Sequence, residues 1–151
     1  MPNTTPRQLQ EQAQRAAAAD QYWDAVEQYT QILGQIGPQT AVDADKEIRL
    51  QALRERGRLL ALLGEQNAAL AAFEQYYLES GSSVHAADAL VAIGSAQRGL
   101  GQYRQALQAY QEALDISEAL NHTPGRSKAL AGSGGTFLLM GRMHEATATL
   151  A

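Results

Sequence analysis

Residues 99–116 read "GLGQYRQALQAYQEALDI". Tyr103, Ala106, Leu107, Tyr110, Ala113 and Leu114 recur at spacings of three and four, which gathers them on one stripe of an α-helix. The stretch before it, 83–100, carries Ala86, Leu90, Ile93, Gly94 and Leu100 at similar spacing and reads as a second helix. Gly99 and Gly101 stand between the two, where a helix end needs a residue that tolerates positive φ. Residues 83–120 therefore predict two antiparallel helices joined by a tight turn.

The same pattern occurs elsewhere in the sequence. "GRMHEATATL" offers Gly141, Met143, Ala146 and Leu150, preceded by Leu130 and Gly134. "GEQNAALAAF" offers Gly64, Gln66, Ala69 and Phe73, preceded by Leu53 and Gly57. "DQYWDAVEQY" offers Asp20, Tyr22, Ala25 and Tyr29, preceded by Leu9 and Ala13. From Ala25 to Ala69, Ala106 and Ala146 the steps are 44, 37 and 40 residues, so the copies differ in the loops between pairs. Two helices approach closely only where the side chains at their crossing are small, and each first helix has Ala13, Gly57, Gly94 or Gly134 there. Glycine inside a helix costs about 1 kcal/mol relative to alanine, so close packing must compensate. Tyr29, Phe73 and Tyr110 are expected to fill the space toward the next pair, each burial contributing roughly 1.5–3 kcal/mol.

Helix starts agree with this division. Thr5 and Gln8 form a capping box, Thr5-Pro6 and Thr123-Pro124 read as N-cap plus first-turn proline, and Ser82 or Ser83 caps the helix that follows. The pattern predicts helices over 5–18, 21–35, 42–63, 66–79, 84–99, 102–120, 124–139 and 142–150. Composition points the same way. At 151 residues, with 45% hydrophobic and 19% charged, the chain is one domain's worth of globular protein, rich in strong helix formers. A net charge of −4 argues against nucleic acid as partner. With no cysteine there is no disulfide framework or thiolate zinc site. The N-terminus lacks the apolar core of a secretory signal, and the longest apolar run, "LLALLG" at 59–64, is too short to cross a bilayer. A soluble, cytoplasmic protein without membrane association is expected.

The pattern resembles the tetratricopeptide repeat family. The best copy is 87–120, with Leu90, Ile93–Gly94, Gly101, Tyr103, Ala106, Tyr110 and Ala113–Leu114. Arg56, Gln12 and Ser133 depart from it, standing where the family prefers an apolar residue, and Asp20 replaces the turn glycine of the first copy. The copies are similar to the roughly forty-residue variants of kinesin light chains and bacterial signalling proteins. The resemblance implies an all-α fold, an α-solenoid of about eight helices in tandem antiparallel pairs wound as a right-handed superhelix. It divides the single domain 1–151 into repeats 5–40, 42–80, 84–121 and 124–151, the last incomplete. It also implies a non-catalytic, cofactor-free scaffold that binds a peptide or protein segment in a concave groove.

In this family the inner face of each first helix lines that groove. By register this face consists of Arg7, Gln10, Gln14 and Ala17; Gln51, Arg54, Arg58 and Ala61; Asp88, Val91, Ser95 and Arg98; and Lys128, Ala131, Gly135 and Leu138. Gln10, Gln14, Gln51, Arg54, Arg58, Val91, Ser95, Arg98 and Lys128 are the candidate binding residues. Apart from Asp88 the charges in this set are positive, which suits an acidic or C-terminal-carboxylate peptide gripped by guanidinium forks. The alternative is that these are ordinary solvated arginines. "AGSGGTF" at 131–137 lacks the Lys-Ser/Thr ending of a phosphate loop and reads as mid-helix. His85, His122 and His144 are scattered and imply no metal site, and no nucleophile–base arrangement is present. Periodicity makes Tyr22 core and leaves Trp23 partly exposed. The sequence ends without the polar helix that closes repeat arrays. A second functional reading follows: an N-terminal regulatory or oligomerisation segment of a larger signalling protein, with a homo-oligomer formed through the uncapped end.

Overall fold

The computed structural model describes residues 3–142 and 148–149. Among these the fold is all-α. Seven helices follow one another: α1 (Pro6–Ala18), α2 (Tyr22–Gln35), α3 (Asp43–Leu62), α4 (Gln66–Ser80), α5 (Val84–Gly99), α6 (Tyr103–Ala119) and α7 (Thr123–Leu139). Each agrees with its predicted span to within one residue at either end. Most of the eighth predicted helix, including Met143, His144, Ala146 and Leu150, lies outside the described residues. The protein forms two compact units, one up to Gln75 and one from Tyr76 onward, the division falling inside α4.

In the first unit α1 packs on α2, α2 packs on α3, and α1 also touches α3. The core is built from Leu9, Ala13, Ala25, Tyr29 and Leu53, the positions the periodicity marks, together with Ile32. α1 opens on the predicted capping box: Gln8 N donates to Thr5 Oγ1 at 3.3 Å and Thr5 N donates to Gln8 Oε1 at 2.9 Å. α2 ends differently. Arg49, on α3, is 8% exposed, and its Nη1 donates to Ile36 O at 2.6 Å and to Leu33 O at 3.2 Å. These carbonyls at the end of α2 lack helical partners, and a guanidinium satisfies them while facing the negative end of the helix dipole.

In the second unit α5 packs on α6, α6 packs on α7, and α5 touches α7 directly. Tyr110 of α6 fills the space between the two first helices. A Cβ added to Gly94 of α5 would lie 2.7 Å from Tyr110 Cε1, and one added to Gly132 of α7 would collide with the same ring atom. Gly94 plays the part expected of it, and in α7 the same ring meets Gly132; most of the second helix that Gly134 is expected to cross lies outside the described residues. Phe73 lies on Gly57 of its own pair, where a Cβ would stand 2.5 Å from Cε1. One cap differs from expectation: His122, not Thr123, is the N-cap of α7. Of the two serines offered for α5, Ser83 is the cap, accepting from His85 N at 3.2 Å. The displaced Thr123 is already helical because Pro124, with its fixed φ, falls within the first turn.

The turns repeat one hydrogen-bond pattern. After α5, Gln102 N donates to Gln97 O at 2.8 Å and Gly101 N to Arg98 O at 3.0 Å. After α1, Gln21 N donates to Ala16 O at 2.9 Å and Asp20 N to Ala17 O at 3.2 Å. This is the Schellman closure, and its penultimate residue must be left-handed. Gly101 has φ +77° and Asp20 has φ +60°. Gly99, by contrast, is simply the last residue of α5.

Gly132→Ala drives a methyl into a ring held on both sides, and a loss of about 1–3 kcal/mol is expected despite the better helix propensity. Gly34→Ala, at a site where a Cβ meets nothing within 4 Å, gains roughly 0.5–1 kcal/mol. Urea midpoints of the two variants move in opposite directions. Arg49→Met leaves buried carbonyls without their donor and is expected to cost about 1.5–3 kcal/mol in the same assay.

Candidate functional site

The faces predicted to bind are those of α1 and α3 in the first unit and of α5 and α7 in the second. In the first unit Gln10 Nε2 donates to Gln51 Oε1, tying α1 to α3. Gln14 and Arg7 are exposed on α1. Arg54 and Arg58 share one acid that the expected set omits. Arg54 Nε lies 3.3 Å from Glu55 Oε1, and Arg58 Nη2 lies 2.8 Å from Glu55 Oε2. The Glu55 side chain is 20% exposed, so the carboxylate sits inward of both guanidinium groups. The repulsion expected of two arginines one turn apart is offset by this acid, and the trio carries a net charge near +1. Its signal was in the sequence, since Glu55 and Arg58 are spaced i, i+3 on one helix.

Beneath this trio lies Tyr29, 2% exposed. Burial is the main cause that raises its phenol above the usual value of 10.0, the Glu55 carboxylate adds to it, and Arg58 and Arg54 oppose it. Tyr22 is half-buried, and its hydroxyl donates to Asp20 Oδ1 at 2.8 Å, which raises its phenol as well. Trp23 is 56% exposed, as expected.

In the second unit Val91, Ser95 and Arg98 run along one face of α5, and Asp88 lies toward the start of that helix. Ser95 Oγ and Tyr110 Oη are 3.1 Å apart, so the ring that packs between α5 and α7 brings its hydroxyl out at Ser95. Arg98 Nη1 lies 2.8 Å from the position a Cβ on Gly135 would take. Lys128, Ala131 and Leu138 are exposed along α7. The structure thus brings Gln10 to Gln51, Arg54 and Arg58 to Glu55, and Arg98 to Gly135. Among the described residues no hydrogen bond or ion pair joins Gln14, Val91 or Lys128 to another member of the predicted set.

Other features are accounted for without a reaction. Among the described residues no three acids or histidines are placed to hold a metal ion. "AGSGGTF" lies inside α7, as predicted. His85 Nδ1 and Tyr76 Oη are 2.8 Å apart, a contact between a half-buried imidazole and a buried phenol that periodicity alone did not reveal. An open polar cleft of about 570 Å³ between α1 and α2 is lined by Gln12, Arg15, Asp24 and Gln28, and by none of the predicted binding residues. No helix among the described residues is long and apolar enough to cross a membrane.

Comparison with known proteins settles the repeat. Residues 87–120 match the family described as Tetratricopeptide repeat. This segment is a tetratricopeptide repeat. No curated protein matches the sequence. Several solved structures share the fold. MamA (residues 41 to the end) from Desulfovibrio magneticus RS-1 is 18% identical, with 97% of this chain and 72% of that one covered and a TM-score of 0.73. The Sgt2 TPR domain from Aspergillus fumigatus is 17% identical, with 95% and 84% covered and a TM-score of 0.71. A Podosopora anserina protein of kinesin-light-chain type, with nearly identical TPR-like repeats, is 18% identical, with 97% and 74% covered and a TM-score of 0.73. At these identities the likeness establishes the fold, a TPR-like solenoid of tandem helix pairs.

The raised phenol of Tyr29 has a pH consequence. Unfolded tyrosines ionise near 10.0 while Tyr29 in the folded protein keeps its proton, so its contribution is complete below pH 10 and is lost as pH rises through the folded value. Stability measured by urea unfolding between pH 9 and 11 is expected to fall with pH, and to fall less steeply in Tyr29→Phe. An unchanged slope would mean that the buried hydroxyl does not resist ionisation.

Proposed function

We propose that this protein is a non-catalytic protein-interaction module, and that it holds a peptide or protein segment against the exposed faces of its first helices. The tetratricopeptide repeat and the fold support interaction as the role. The observation that carries the site is the state of its side chains. Polar and basic groups on these faces are held by neighbours rather than left to wander: Gln10 by Gln51, Arg54 and Arg58 by Glu55, Ser95 by Tyr110. Groups positioned before a ligand arrives lose less entropy when it binds. The remaining members of the surface are Gln14, Val91, Arg98 and Lys128. The four-repeat division is part of this reading, and the faces are carried as one surface per unit.

The partner class follows from charge. The protein is acidic overall, yet basic groups outnumber acidic ones on these faces, so an acidic protein segment is favoured over nucleic acid. A cytoplasmic setting belongs to the same reading. Of the end surface invoked for a homo-oligomer, Phe137 is half-buried and Leu138 exposed on α7, while Leu150 lies outside the described residues.

The test uses a fluorescein-labelled hexaglutamate peptide, with hexaglutamine and hexalysine as comparators, at low ionic strength where exposed charges act at longest range. Binding of hexaglutamate alone is expected. The double variant Arg54→Glu, Arg58→Glu should weaken it about tenfold, because each reversal replaces attraction with repulsion next to Glu55. Equal affinity for all three peptides, or no response to the reversal, would remove this face as the binding surface.

A further inference from the structure

Ser117, on α6, is 1% exposed, and its Oγ has no hydrogen-bond partner among the described residues. A hydroxyl taken from water and left unpaired is a standing cost, and it marks a place where a partner belongs. Ser117 lies where α6 turns into α7. The turn closes as the others do: His122 N donates to Ser117 O at 2.7 Å and Asn121 N to Glu118 O at 3.2 Å, with Asn121 left-handed at φ +52°. This closure carries the His122 ring back toward Ser117. Both meet Gly125 in the first turn of α7, where a Cβ would stand 2.5 Å from Ser117 Oγ and 2.6 Å from His122 Cδ2. The glycine therefore lets the hydroxyl and the imidazole converge on one spot.

An open polar cleft of about 360 Å³ lies at this spot, lined by Ser117, Glu118, Asn121, His122, Thr123 and Arg126 and by none of the predicted binding residues. It opens at the start of α7, a helix of 17 residues. No side chain caps that end, and no acid stands in its first turn. Arg126 N donates to His122 O at 3.1 Å, Pro124 has no N–H, and helix geometry leaves the N–H groups of Thr123 and Gly125 without an intrahelical carbonyl. That end of the helix is positive, and the Arg126 guanidinium beside it adds to the charge. One acid, Glu118, lines the cleft. It lies 3.8 Å from Arg126 Nε, with side chains 55% and 59% exposed, a surface pair too weak to keep the guanidinium from a better anion.

The donors belong to different elements. The Ser117 hydroxyl comes from α6, the His122 ring from the turn, and the Thr123 amide and hydroxyl and the Arg126 guanidinium from α7. A tetrahedral oxyanion offers oxygens to donors arriving from several sides, whereas the oxygens of a carboxylate lie in one plane. We infer that the α6–α7 turn binds a phosphate group, with Ser117 Oγ, the N-terminus of α7 and Arg126 as its donors. The site lies apart from the faces proposed to hold a protein segment and does not rest on that reading. Inorganic phosphate and a phosphorylated serine side chain of a partner present the same group.

The test titrates the ¹⁵N-labelled protein at constant ionic strength and follows the Thr123 and Gly125 amide resonances. One probe is inorganic phosphate and the other is acetyl-glycyl-phosphoseryl-glycine amide. Sodium acetate and the unphosphorylated peptide are the comparators. Saturable shifts of both amides with a phosphate probe, and none with either comparator, are expected. A phosphopeptide that binds about tenfold tighter than inorganic phosphate, or more, identifies a phosphorylated segment as the source; otherwise the free ion is the source. Arg126→Gln should weaken binding about tenfold. Ser117→Ala should weaken it several-fold without lowering the thermal midpoint of the free protein, because the hydroxyl it deletes holds nothing there. Glu118→Gln removes the one repulsive charge and should tighten binding several-fold. Arg104→Gln, on exposed α6 surface, should change nothing. A midpoint lowered by Ser117→Ala would show that the hydroxyl has a structural partner and would overturn its assignment. Equal shifts with acetate, no saturable shift with either phosphate probe, or binding that survives both Arg126→Gln and Ser117→Ala overturns the site. None of these results touches the binding of hexaglutamate to the first-helix faces.

Discussion

A rigid ring needs a bare backbone to lie on, and that single requirement organises the second unit. Tyr110 is 1% exposed, with Gly94 on one side and Gly132 on the other. A Cβ at either glycine would stand inside the ring's contact distance, so no other residue fits without moving a helix. The ring therefore sets both the spacing and the register of α5 against α7. Helix axes that pack closely depend on the side chains at the contact; here the contact is made by a side chain from a third helix. Each of those glycines costs helix propensity of about 1 kcal/mol. Burial of an aromatic ring, roughly 1.5–3 kcal/mol on the area scale, is of the size needed to offset that cost.

The turns supply the other constraint. A hairpin of two helices returns on itself only if one residue at the reversal is left-handed, and the same pair of hydrogen bonds closes the turn after α1 and the turn after α5. Glycine does this at Gly101 without cost. Asp20 does it with a side chain, which L-residues tolerate poorly unless short and polar. Its carboxylate is then in position to accept from Tyr22 Oη at 2.8 Å. The departure from the family's glycine thus converts a strained backbone position into a side-chain tie at the start of α2.

The fold was legible because it is written in periodicity. Leu9, Ala13, Ala25, Tyr29, Leu53, Ala69, Phe73, Leu90, Ala106 and Tyr110 are read from spacing, and all are buried. Spacing says which side of a helix is apolar; it does not say what lies opposite. That is why spacing marks Gly94 as a close-packing position without revealing that Tyr110 also rests on Gly132. Arg49 was missed for a related reason: a charged residue on a helix looks solvated until the open carbonyls of the preceding helix are brought to it. Of the site, the choice of helix faces was legible, and so were the basic residues on them. The neutralising role of Glu55 was half legible, from its i, i+3 spacing to Arg58, and the bracing of Arg98 was not legible at all. It depends on a contact between residues 37 positions apart, which no local pattern carries.

The glycines of α7 then divide into two kinds, and the division links packing to function. At Gly132 the neighbour is a ring wedged between helices, so the absence of a side chain is required by the core. At Gly135 the neighbour is the far end of Arg98, a flexible group that could swing into solvent if a methyl stood there. Stability alone would then favour alanine, which is the better helix former. A glycine at that place lets a guanidinium lie down against α7 instead of standing free. That contact is therefore a property of the surface and not of the core. The same helix interface that locks Tyr110 in place also aims its hydroxyl at Ser95, one turn from the guanidinium, so the polar end of the core ring and the braced cation emerge side by side.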